Sequence, residues 1–163
     1  MSGFDGNAVR TWIFQGDPAV FDMDGYLSSR PDTFVWFVNQ HATEIVVGDR
    51  VFMWRAIGDL EREMSGVIAE ASVLSPVSPL VEDSRALPFW RNPALALQER
   101  NRVRLQLLRY ADRTERLQRD QLYQDPVLHD LNVLRRPFSG TNFSLSPAQA
   151  MRLDELWTAS GAH

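Results

Sequence analysis

A chain of 163 residues can bury about two thirds of its unfolded surface as one domain, so it needs no disulfide or metal staple. It has no cysteine, and all 17 of its basic residues are arginine, which excludes thiolate metal sites, cysteine nucleophiles, Schiff-base lysines and a P-loop lysine. The net charge of -4 hides an asymmetry: Arg85 to Arg136 carries 11 arginines against 6 acids, and the rest of the chain 6 against 15, so this segment is either a solvated arginine face or the footprint of an anionic partner such as nucleic acid.

No apolar h-region follows Met1–Asn7 and no apolar run approaches a bilayer span, so a cytoplasmic protein without a membrane partner is expected. Val9 to Phe14 reads as a strand ended by the turn Gly16-Asp17-Pro18, and Pro18 to Ser29 as a short helix. Asp32 to Val38 is apolar on both faces, the mark of an enclosed strand. Gly48-Asp49 feeds a third strand, Arg50 to Trp54. Gly58 to Ser65 looks like a hairpin loop, and Gly66 to Ser75 returns as a fourth strand. Pro76 to Arg100 holds too many prolines for regular structure. Asn101 to Tyr110 is a fifth strand, and Thr114 to Asn132 reads as helix interrupted at Asp125-Pro126. Ser146-Pro147-Ala148-Gln149 is a capping box, followed by the stripe Ala150, Leu153, Leu156 and Trp157 and ended by Gly161. Short strands without βαβ alternation indicate an α+β fold, a β-barrel of five to six strands flanked by helices, with Val9–Phe14 and Asp32–Val38 in one sheet.

Enzymatic motifs are absent: no Walker loop, GxGxxG, GxSxG or HExxH occurs. His41 and His129 stand apart without a ligand cluster, so no metal and no cofactor are expected. Asp22-Met23-Asp24-Gly25 lacks the spacing of a calcium loop and reads as a solvated helix edge. Glu70 shares a strand face with Ile68 and Leu74 by period-2 alternation, and an ion pair with Arg55 across the hairpin is its expected role, with a catalytic carboxylate as the alternative. Trp12, Trp54 and Trp157 read as core, and Trp36 is ambiguous. Trp90, in Leu87-Pro88-Phe89-Trp90-Arg91-Asn92-Pro93, is either a stacking platform for a base or a loop plug over the barrel mouth.

Taken in order, Trp12-Ile13-Phe14-Gln15 with Asp17-Pro18, Val35-Trp36-Phe37-Val38, Gly48-Asp49-Arg50-Val51-Phe52-Met53-Trp54-Arg55, Gly66-Val67-Ile68-Ala69-Glu70-Ala71, Phe89-Trp90-Arg91-Asn92-Pro93, Leu134-Arg135-Arg136-Pro137 and Gly140-Thr141-Asn142-Phe143 resemble an EVE domain, of the PUA-like superfamily related to YTH readers. The resemblance covers Thr11 to Trp157. It implies a PUA-like pseudobarrel across residues 1–163, with its core over about 9–160. It further implies a non-enzymatic reader of a modified, methylated base in DNA or RNA. The family's aromatic pocket falls on Trp36 and Trp90, with Asn39 and Asp17 as polar partners and Trp54, Arg55 and Asn142 at the rim or beneath. Asp17 departs from the asparagine that many relatives carry before the proline.

Two other classes compete. A protein-interaction module would keep only a vestigial pocket, with Trp36 and Trp90 buried apart. An amidohydrolase like the related ASCH domains would need a lysine that this chain lacks. The expected partner is a nucleic acid carrying a modified base, bound by a monomer.

Overall fold

Thr33-Phe34-Val35-Trp36-Phe37 and Val67-Ile68 are β-branched and aromatic runs, and both form strands of one mixed sheet, the first at its edge and the second in its interior. The computed structural model describes residues 9–58 and 62–161; Met1–Asn7 and residues 59–61 of the loop read over Gly58–Ser65 lie outside the described residues. The strands among the described residues are β1 (Thr11–Gly16), β2 (Thr33–Phe37), β3 (Arg50–Arg55), β4 (Gly66–Val73), β5 (Ser78–Leu80), β6 (Arg100–Tyr110), β7 (Leu117–Gln118) and β8 (Asn142–Ser144). Their order is β2-β6-β4-β3-β1-β8, with β5 added to β6 and β7 to β4. Only β1–β3 is parallel. Six strands make the main path, as expected, and two short ones are added. β1 and β2 share the sheet but are not neighbours.

The sheet curls into a half-barrel whose edges, β2 and β8, meet through side chains rather than a backbone ladder. Asn142 Oδ1 accepts from the backbone N–H of Asn39 (2.7 Å) and Gln40 (3.2 Å). Gln40 Oε1 in turn accepts from the N–H of Thr141 (2.7 Å) and Asn142 (3.0 Å). Alternation along the strands builds two cores. Trp12, Phe14, Val51 and Met53 point into the barrel, with Trp36 and Trp90. Ile13, Phe52, Trp54 and Val67 point outward, beneath Leu153 and Trp157.

Those last two residues belong to α5 (Pro147–Ser160), whose capping box is reciprocal: Ser146 Oγ accepts from Gln149 N–H at 3.1 Å, and Gln149 Oε1 accepts from Ser146 N–H at 3.0 Å. Other helices are shorter than the sequence suggests. The helix read over Pro18–Ser29 is only α1 (Met23–Ser28), because Phe21 is drawn into a bridge with Trp90. Pro76–Arg100 is more regular than expected, containing β5, a 3-10 turn over Ser84–Phe89 and α2 (Pro93–Ala96). Thr114–Asn132 is not one helix. Leu117–Gln118 pairs with Gly66–Val67, leaving α3 (Arg119–Tyr123), and the Asp125 carboxylate turns the chain by accepting from Val127 and Leu128 before α4 (Asn132–Arg135). Gly66, at φ +144°, lets β7 approach: a Cβ there would collide with the Leu117 carbonyl.

Two expected charge assignments change. Ile68 is an extra residue between the pairs Trp54↔Val67 and Met53↔Ala69, so the bulge resets the alternation and Glu70 faces outward. It accepts from Arg50 Nε (2.8 Å) and Trp157 Nε1 (3.0 Å), not from Arg55. Asp24 is no solvated edge. It accepts from Arg55 Nε, Arg116 Nη2 and Tyr110 Oη, each at 2.8 Å, tying α1 to β3 and β6. Burial, followed by the hydrogen bond to Asp24, pushes the Tyr110 phenol up to about 12.

Candidate functional site

The inner face of the half-barrel opens into a cavity of about 1090 Å³ at the C-terminal end of β1. Trp36 enters it from β2 and Trp90 from the end of the 3-10 turn after β5, and each is 8% exposed. Phe21 touches both rings, with centroids at 5.8 Å from Trp36 and 5.2 Å from Trp90. Trp36 lies over the bare Cα of Gly16, where a Cβ would stand 2.7 Å from the indole. Its Nε1 donates to Gln15 O at 3.3 Å. The platform expected at Trp90 is therefore a largely buried wall, packed against Phe21 and edge-on to Phe37 at 5.8 Å.

A polar group backs this wall. Trp90 Nε1 donates to Glu82 Oε2 at 2.9 Å, and Asp83 N–H to Glu82 Oε1 at 2.8 Å. Burial pushes the Glu82 carboxyl above its ordinary range despite those bonds and the neighbouring Arg102. Arg102, also buried, lies over the Phe37 ring at 4.5 Å and donates to Ala96 O and Gln98 O. Burial pulls its guanidinium down, against the pull of Glu82. Arg100 is exposed at the mouth, with its guanidinium 4.7 Å from the centroid of the same Phe37 ring, and donates to Asn39 Oδ1 at 3.0 Å.

The far end of the cavity reaches past β1 to the outward-facing Trp54, to Arg119 and to the Pro137–Ser139 turn, where Phe138 is fully exposed. Gln15 Nε2 holds that turn by donating to Pro137 O (2.8 Å) and Gly140 O (3.1 Å).

Of the residues singled out in sequence, Trp36, Trp90, Asn39, Asp17 and Trp54 line this one cavity. Asp17 is exposed, and its Oδ1 accepts from Ala19 N–H at 2.9 Å. Asn39 also donates to Thr141 Oγ1 at 2.8 Å. Arg55 and Asn142 are not among the lining residues. Arg55 is held by Asp24, and the buried Asn142 spends its amide on the strand seam, donating to Phe37 O at 3.0 Å. Sequence reasoning missed Phe21, Glu82, Arg102, Arg119 and Phe138. Phe138 had a usable signal, an aromatic beside Arg135-Arg136-Pro137, and Arg102 and Arg119 lay within the arginine-rich segment Arg85 to Arg136 without being marked individually. Among the described residues no group of three or more His, Cys, Asp or Glu could hold a metal ion, and no helix is long and apolar enough to cross a membrane.

No protein-family model and no curated protein matches the chain. Solved structures do. A hypothetical protein from Leishmania major is similar at TM-score 0.65 and 13% identity, over 94% of this chain and 98% of that one. Human THYN1 protein, solved in complex with 5-methylcytosine containing DNA, is similar at TM-score 0.61 and 13% identity, over 94% and 99%. The YTH domain of Zygosaccharomyces rouxii MRB1 protein, in complex with N6-methyladenosine RNA, is similar at TM-score 0.51 and 8% identity, over 90% and 86%. With the curled mixed sheet and its flanking helices, these likenesses establish that the chain has the PUA-like fold of the EVE and YTH domains.

Proposed function

We propose that this protein is a non-catalytic reader of a modified, methylated nucleobase in DNA or RNA. The observation that carries the reading is the convergence of Trp36 and Trp90, from different elements, on one cavity with Phe21 against both rings. A scaffold with a vestigial pocket would bury the two indoles apart. The methylated DNA and RNA bound by THYN1 and the MRB1 YTH domain support the same ligand class.

Magnitudes divide the work. Stacking gives about 1–3 kcal/mol per base, and extruding a base from a duplex costs a few kcal/mol. The aromatic walls therefore offset flipping, and net affinity comes from arginine–phosphate contacts such as one by Arg100, which are salt-sensitive and blind to sequence. Burying a methyl adds about 0.8 kcal/mol, around fourfold in affinity. Larger discrimination requires a polar partner, and Asn39 and Asp17 at the mouth and Glu82 behind Trp90 are the side chains placed to supply it.

The test is a titration of matched modified and unmodified oligonucleotides, DNA and RNA, single- and double-stranded. A preference for one modification, with the ligand recovered unchanged, is expected. Equal affinity across all modified and unmodified pairs overturns the reading.

A further inference from the structure

We infer that the far end of the cavity is a phosphate subsite formed by Arg119 and the indole N–H of Trp54, which takes the phosphodiester attached to the bound base. The inference deepens the reader function and rests on it for the identity of the ligand.

Trp54 is fully buried and lines the cavity, and its Nε1 has no acceptor among the described residues. Its four counterparts differ. Trp12 donates to Asp49, Trp36 to Gln15 O, Trp90 to Glu82 and Trp157 to Glu70. An indole N–H left unpaired in the interior forfeits a hydrogen bond that its surroundings do not return.

Arg119 lines the same cavity, and its Nε is likewise buried without an acceptor. The two are placed together by pairing: Trp54 is registered on Val67, and Val67 on Leu117, two residues before Arg119. The backbone of Arg119 is fixed by donation to Ser65 O at 2.8 Å. Its guanidinium makes one long bond, Nη2 to Leu134 O at 3.4 Å, and no carboxylate lies within ion-pairing distance among the described residues. Asp120, next in sequence, is taken by Arg62 at 3.0 Å.

A base carbonyl could satisfy the indole alone, but a half-buried guanidinium with no carboxylate paired to it among the described residues suits an anion better. A phosphate presents several acceptor oxygens and suits the guanidinium fork. Glu82, the buried carboxylate of the cavity, is occupied at the aromatic end by Trp90 and Asp83. One nucleotide would thus set its base at the Trp36–Trp90 end of the cavity and its phosphate at Arg119.

The test reads the five indole N–H resonances of the ¹⁵N-labelled protein during titration with inorganic phosphate at constant ionic strength, with Trp54 assigned from Trp54→Phe. Phosphate should shift the Trp54 resonance saturably and leave those of Trp12 and Trp157 in place. Arg119→Gln should weaken that response about tenfold, and Arg119→Lys should restore part of it. A Trp54 resonance that stays still, or responds equally in folded Arg119→Gln, overturns the subsite; if that variant does not fold, the wild-type titration decides alone.

A second arm compares a modified nucleoside with its 5′-monophosphate, read by tryptophan quenching. The nucleotide should bind about tenfold more tightly, and Arg119→Gln should abolish that gain. Free phosphate binding without any gain for the nucleotide would overturn the assignment to the nucleotide's own phosphate. Nucleoside binding with no Trp54 response leaves the reader standing and removes the subsite. Phosphate binding without any base binding does the reverse.

Discussion

Trp90 and Glu82 are joined by an indole-to-carboxylate hydrogen bond of 2.9 Å within the wall of the cavity. The bond fixes the plane of a ring that also packs on Phe21 and Phe37. Trp90→Ala should therefore remove about 1–3 kcal/mol of base binding and also about 3–5 kcal/mol of stability. Trp90→Phe keeps an aromatic face, loses only the donor and should cost less of both. Calorimetric binding and urea unfolding of the two variants separate the effects. Normal binding by the folded fraction of Trp90→Ala would make Trp90 a plug.

Arg100 is exposed at the mouth, and among the described residues its side chain donates to one other side chain, Asn39. Arg100→Gln should weaken all oligonucleotides of a given length alike, whatever their modification, and lower the slope of log affinity against log salt by about 1. Affinities measured across a salt series check this. A loss confined to the modified ligand would place Arg100 at the base instead.

Asn142 makes three hydrogen bonds with its amide from a buried position. Asn142→Ala strands the N–H groups of Asn39 and Gln40 and the carbonyl of Phe37, at about 1–3 kcal/mol for each group that stays buried. Denaturant unfolding should show a large loss, while the folded fraction keeps its preference among bases. A changed preference at unchanged stability would return Asn142 to the binding site.

Tyr110 gives a pH dependence with a definite sign. Its phenol titrates at about 12 in the folded protein, above the value near 10 of an unfolded chain, so the folded state holds the proton more tightly. That contribution is complete below pH ~10 and is lost as pH rises through ~12. Tyr110→Phe removes the bond to Asp24 at a cost of about 1 kcal/mol at neutral pH and should flatten the alkaline decline. Urea midpoints at about pH 8 and pH 11 test this.

The legible parts of the fold were those set by local pattern. Ser146 and Gln149 announce their helix because the capping box is complete within four residues. The alternation of β1 and β3 places Trp12 and Trp54 in cores without knowledge of the partner strands. What the sequence concealed depends on distant pairing. The bulge at Ile68 cannot be read from its own strand, yet it sends Glu70 outward to Trp157. Leu117–Gln118 reads as helix and becomes strand only because Gly66 admits it. The same holds at the site. Trp36 and Trp90 were visible as aromatics in unusual places, whereas Phe21 and Glu82 matter only through a bridge and a hydrogen bond to Trp90. Asp24 looked solvated because its partners Arg55, Tyr110 and Arg116 lie far along the chain.

The clasp between β2 and β8 gives four backbone amides a shared fate. The N–H groups of Asn39 and Gln40 are shielded by one side-chain oxygen of Asn142, and those of Thr141 and Asn142 by one of Gln40. Rotation of these two amides unlatches all four protons at once without unpairing a strand of the sheet. In hydrogen exchange they should report as a group, distinct from the ladders of β3 and β4. Asn39, Gln40 and Thr141 also border the cavity, so a guest that presses against the latch should change their exchange together and leave the ladders silent.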